Sequence, residues 1–155
     1  MKLVSELRQD LVSGDWVVIA KGRARRPHEF SQVKKPSFQQ PQKGCPFEKL
    51  HVDALTVYSL EEMEGQENWL VQTIPNKYPA LGSGVCAIFH KVGPYQWTEG
   101  VGFHEVVVTR DHHRSIAQMA DEEVELIVRS YQERYLAMKK DDCVYDLALF
   151  APVGA

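Results

Sequence analysis

Cysteine is scarce in this chain: three among 155 residues, an odd number with no paired spacing. That pattern argues against a disulfide framework. Cys86, inside Gly84-Val-Cys-Ala-Ile-Phe89, reads as a small buried hydrophobe, and Cys143 carries no signal of its own. A reducing cytoplasm is the setting this usage implies. Long apolar runs are also missing. None approaches the roughly 20 residues that cross a bilayer, and the opening Met1-Lys-Leu-Val-Ser-Glu-Leu-Arg-Gln-Asp10 lacks an apolar stretch of signal-peptide length. Nor is there a surplus of positive charge. The 18 Lys and Arg stand against 21 Asp and Glu, a net charge of −3, whereas nucleic-acid binders carry an overall or stripe-like basic excess. Neither a membrane nor a nucleic acid is an expected partner.

What is present is a soluble globular balance, with 44% hydrophobic and 25% charged residues, enough for one ordinary core and one domain over residues 1–155. Trp16-Val-Val-Ile19 has the β-branched and aromatic character of a strand, and Gly14-Asp15 before it is a turn signal, so a strand is expected over 15–20. It leads directly to Arg23, Arg25 and Arg26, with Pro27 limiting the chain's exit. Guanidinium forks match phosphate oxygens bidentately, which makes this cluster a candidate phosphate-ester or diphosphate holder. The plainer reading is a solvated basic loop.

Residues 3–10 form a short lead-in, and 31–43, polar and proline-punctuated, a loop. Further strands are expected over 54–60, over 69–74 with Pro75 ending it, over 84–92, over 103–109 and over 145–150; residues 93–102 read as an irregular loop. The firmest helix runs from Asp121 to about Lys139. Val124, Ile127, Val128, Tyr131, Tyr135 and Met138 keep the three-four spacing of one buried face, Asp121 is a suitable N-cap, Glu122 and Glu123 suit the positive start, and Lys139-Lys140 the negative end. Several strands with one long helix give an α+β fold, a mostly antiparallel sheet packed with that helix.

The order of several motifs carries more than any one of them. Leu7-Arg8-x-Asp10, Gly14-x-Trp16-Val-Val-Ile-Ala20 and Arg23-x-x-Arg26-Pro27 are followed by Cys45-Pro46, Asn76-Lys-Tyr-Pro-Ala-Leu81, His104-Glu-Val-Val-Val108 and Asp111-His112. In this order the chain resembles the first half of galactose-1-phosphate uridylyltransferases, of the nucleotide-transferring branch of the histidine-triad superfamily. The resemblance covers essentially the whole chain. It implies a histidine-triad-like fold and a full-length homodimer built of two related halves. It also implies covalent chemistry in which a histidine takes the uridylyl group from UDP-glucose and passes it to a hexose 1-phosphate.

By the same resemblance, Arg23, Arg26, Asn76 and Phe150 match nucleotide-side residues, against the plain alternative that Asn76 merely stabilises a turn between two prolines. Cys45, Glu48 and His112 match part of a structural zinc site, with His113 the alternative ligand in a shifted register. Zinc accepts carboxylate as well as thiolate and imidazole, yet Glu48 stands where the family has a second Cys, and its presence equally marks loss of the site. His104, in a strand, reads as structurally satisfied. The nucleophilic His-Pro-His-x-Gln run has no counterpart, because the chain contains no His-x-His. Pro152 occupies a position where the family often has a nucleotide-binding Asn, a contact proline cannot reproduce. The chain therefore reads as an N-terminal half-domain, incomplete before its nucleophile. Two alternatives stay open: a related nucleotide phosphorylase or adenylyltransferase, and a non-catalytic nucleotide- or metal-binding module.

Overall fold

The structure, a computed structural model, describes residues 5–20, 43–59, 68–82, 86–144 and 147–150. It is α+β, as expected: two antiparallel sheets and one long helix. Two compact units divide it, one formed by residues 1–32, 77–104 and 142–145, the other by 33–76, 105–141 and 146–155. Among the described residues, no helix is long and apolar enough to cross a membrane.

In the first unit the sheet order is β2-β1-β6-β5, with β1 Glu6–Gln9, β2 Trp16–Ile19, β5 Phe89–Val92 and β6 Tyr95–Glu99. The lead-in is thus a strand. It pairs with β2 through a turn that Asp10 organises, its carboxylate accepting the N–H groups of Val12 and Ser13 at 2.8 and 2.9 Å. The loop expected at 93–102 is also a correction, since it holds β6. Val92 faces Tyr95 across a two-residue turn, and Gly93 at φ +60° supplies the positive φ that the first position of a type II′ hairpin requires. Gly100 donates its N–H to the Ser5 carbonyl at 2.7 Å. A Cβ there would lie 3.0 Å or less from Ser5 atoms, so this close strand approach needs glycine.

The cysteines depart most from expectation. Cys86 is exposed rather than buried, and it forms a disulfide with Cys143, Cα to Cα 4.9 Å, across 57 residues of sequence. That separation lies inside the bridgeable range, but nothing in the local spacing announces it. Cys45 keeps a free thiol.

In the second unit β3 (Thr56–Tyr58), β4 (Val71–Pro75) and β7 (Glu105–Thr109) form a sheet of order β3-β4-β7, on which α1 (Asp121–Met138) packs against all three strands. Central β4 is buried over Val71–Ile74, and among the described residues Trp69, Val71, Ile74 and Ile127 are the buried hydrophobic side chains. Pro75 closes β4 opposite Glu105, a strand end being where a residue with no N–H is tolerated. Of the apolar face expected on α1, Ile127 is buried, but Val128 and Tyr135 are 56% and 46% exposed. Ser130, fully buried, takes a place in the stripe because the strand beneath it offers a hydroxyl partner, Thr73. The N-cap is Ala120 rather than Asp121. Its N–H donates to Glu123 Oε2 at 2.9 Å, so the helix start is satisfied by a side chain reaching back from the first turn. Arg134 clamps Glu105 bidentately at 2.7 and 2.8 Å, tying α1 to β7. The strand expected over 145–150 does not form at the described residues Leu147–Phe150.

The Tyr58 hydroxyl donates to Glu133 on α1. Burial, followed by that hydrogen bond and the carboxylate charge, pushes the phenol up to about 12. The neutral phenol is the form the fold favours, so its contribution to stability is complete below pH 10 and declines as pH rises through about 12. Absorbance at 295 nm is expected to show one tyrosine ionising near pH 12, and Glu133→Gln to bring it part of the way back. A tyrosine set titrating entirely near pH 10 would contradict this contact.

Candidate functional site

Around Cys45 the chain makes a tight turn, Cys45 O accepting the Glu48 N–H at 3.3 Å and Cys45 Sγ accepting the Phe47 N–H at 3.4 Å. An open cleft of about 540 Å³ borders this turn, lined by Lys43, Gly44, Cys45, Pro46, Glu48 and Lys49. The segment is held to the sheet by Gln72, a fully buried residue of β4. Gln72 Oε1 accepts the His51 N–H at 2.9 Å and its amide nitrogen donates to the Lys49 carbonyl at 3.2 Å. Both ends of a buried amide are thereby satisfied, as burial demands.

Glu48 meets two groups from the segment after β7. Its Oε2 lies 2.9 Å from His112 Nε2, and its Oε1 3.8 Å from the Arg110 guanidinium. The His112 side chain is 10% exposed. Arg110 sits 6.0 Å over the ring of buried Trp69, and its backbone N–H donates to Leu70 O at 2.9 Å. His113, the alternative ligand, is exposed, and its N–H donates to Asp111 Oδ1 at 2.7 Å. Burial raises the Asp111 carboxyl, but the N–H groups of His113 and Arg114 and the Arg114 guanidinium more than offset this and bring it to about 2. Arg114 also forks onto Glu123 at 2.8 and 2.9 Å, connecting this segment to the first turn of α1.

The donor set can be tested against zinc. Two ligands of one tetrahedral zinc, with bonds of roughly 2.0–2.1 Å, stand roughly 3.3 Å apart. Glu48 and His112, at 2.9 Å, are spaced as hydrogen-bond partners. Among the described residues, no three His, Cys, Asp or Glu side chains converge as ligands. Of the three candidates, then, two are brought into contact and Cys45 is not part of a ligand group.

Of the nucleotide-side candidates, only Asn76 and Phe150 are among the described residues. Arg23, Arg25 and Arg26 lie outside the described residues, as does Pro152. Asn76 is half-buried immediately after β4. The Glu48, Arg110 and His112 group is at the other end of that strand, where Arg110 bonds to Leu70. Six residues of extended chain separate these ends, about 20 Å. Phe150 is 86% exposed. His104 is satisfied structurally as expected, its Nδ1 accepting the Ala80 N–H at 2.9 Å and so fastening the segment that follows Asn76. Gln72 and Arg110 were not singled out in the sequence. A glutamine in the middle of the apolar run Trp69–Ile74 was the available sign for the first.

Comparison with known proteins gives two relatives, both of the histidine-triad superfamily. ADP-glucose phosphorylase of Arabidopsis thaliana is 28% identical over 156 residues, covering 97% of this chain and 44% of that protein. Galactose-1-phosphate uridylyltransferase of Thermotoga maritima is 24% identical over 151 residues, covering 96% of this chain and 41% of that protein. The resemblance seen in the sequence stands. The chain spans less than half the length of these curated relatives. No protein-family model and no solved structure matches it.

Proposed function

We propose that this chain is the N-terminal part of a hexose-1-phosphate nucleotidyl-transferring enzyme, of the uridylyltransferase kind. The observation that carries the proposal is similarity along 96–97% of the chain to two proteins named for reactions of this sort. The ordered motifs support it. In the reaction that the resemblance implies, a histidine nitrogen displaces hexose 1-phosphate from the α-phosphorus of UDP-glucose, and a second hexose 1-phosphate then displaces the histidine. Arg23 and Arg26 would offset phosphate charge, Asn76 would fix the nucleotide, and Phe150 would lie against the base. The His-x-His run that would carry that histidine is not among these 155 residues. The setting proposed is cytoplasmic, where the Cys86–Cys143 pair would be held reduced, and the whole protein a homodimer.

A second reading, a phosphorylase acting on ADP-glucose, is favoured by the 28% identity to a protein of that name. Base choice separates the two. By calorimetry, UDP-glucose is expected to bind this chain about tenfold more tightly than ADP-glucose, a difference of about 1.4 kcal/mol. Asn76→Ala is expected to weaken binding by a similar factor. The reverse preference would establish the second reading, and no binding of either sugar nucleotide would sink both. Incubation with UDP-glucose alone is expected to leave the protein's mass unchanged, whereas a uridylylated chain would contradict the assignment of the nucleophile elsewhere.

A further inference from the structure

The turn at Cys45 is fastened by side chains from two directions. Gln72 holds Lys49 and His51 through both ends of its amide. One residue earlier, Glu48 is gripped by His112 at 2.9 Å and by Arg110 at 3.8 Å. Neither partner is loosely placed. His112 is nearly buried, and Arg110 is fixed by the Leu70 carbonyl and stands over Trp69. A guanidinium beside a carboxylate is a charge partner and never a zinc ligand. A carboxylate with a guanidinium 3.8 Å away is a weakened donor to a cation.

We propose that Glu48, His112 and Arg110 form a metal-free latch that secures the Cys45–Lys49 turn to the end of β7, in the role that the family resemblance would give to zinc. The substitution of glutamate for a second cysteine, Cys45-Pro-Phe-Glu48, is then a change of fastening. Glu48 supplies an anion where a thiolate would have supplied a metal ligand, and Arg110 supplies the cation. This inference stands apart from the nucleotide specificity proposed above, since it concerns only how the turn is held.

The test is metal content and melting temperature of the protein purified from zinc-supplemented medium. Zinc is expected far below one per chain, with a melting temperature unmoved by EDTA or by added zinc. Glu48→Gln and Arg110→Met are each expected to lower the melting temperature by a few degrees. The double variant is expected to fall by less than the sum of the two, because both break one interaction. Stoichiometric zinc, a melting temperature lowered by EDTA, or additive losses from the two substitutions would overturn the latch. If a substitution prevents folding, the metal content and chelator response of the unaltered protein decide the matter alone.

Discussion

Cys143→Ser is expected to lower the folding stability of the oxidised protein by about 4 kcal/mol, the loop-closure entropy of a ring of this size. The Cys86–Cys143 bond spans 57 residues of sequence, and the loop that it closes carries β5, β6, β7 and α1. In the unfolded chain such a tether removes many conformations, and the stabilisation resides chiefly there. Relaxation of the native ends would bring the loss nearer 2 kcal/mol, the lower part of the usual range. Urea denaturation of oxidised and reduced protein, in a Cys45→Ser background to prevent exchange, measures it directly. Two superimposable curves would contradict the bond's contribution. So would two free thiols counted in that variant after denaturation without reductant. The same thiol count bears on compartment, since disulfides are rare in reducing cytosol.

The pairing also shows where sequence reasoning stops. Cys86 and Cys143 become neighbours only when two distant segments fold into one unit; an odd cysteine count and irregular spacing hide such a contact. Local pattern served well wherever one face is apolar or one run is buried. Trp16–Ile19, Val71–Pro75, Glu105–Thr109 and α1 all form close to where periodicity and β-branching put them. It failed at Tyr95–Glu99, where a strand sits among glycines and a proline that read as loop. Those residues are the hairpin turn and the close strand crossing that permit the strand. It failed also at Ser130, where an apolar-face rule has no place for a buried hydroxyl. For the site, motif order pointed to Glu48 and His112, which do meet. Arg110 and Gln72 escaped notice because each acts through a partner far away in sequence: Glu48 for the first, Lys49 and His51 for the second.

Ser130 belongs to a buried relay whose middle member should be costly to remove alone. Thr56 donates its hydroxyl to Thr73 Oγ1 at 2.8 Å, and Thr73 Oγ1 lies 2.7 Å from Ser130 Oγ. All three are buried, Thr73 and Ser130 completely. The relay joins β3, β4 and α1 across the centre of their unit. Thr73→Val preserves shape but strands two hydroxyls at once. An unsatisfied buried polar group costs about 1–3 kcal/mol, so for two a loss of about 2–6 kcal/mol is expected. Substituting the whole relay, Thr56→Val with Thr73→Val and Ser130→Ala, leaves no orphan and should recover most of that loss, since replacing all partners with apolar groups is nearly neutral. Urea denaturation of the single and triple variants gives both numbers. A triple variant less stable than Thr73→Val alone would show that the hydroxyls stabilise outright. A single variant indistinguishable from the parent would show that both freed hydroxyls find other partners, as Ser130 can at a carbonyl of its own helix. The expected order, single below triple, identifies the relay as a requirement for matched partners. On that account β4 accepts a threonine at a fully buried position only because β3 and α1 each supply a hydroxyl to meet it.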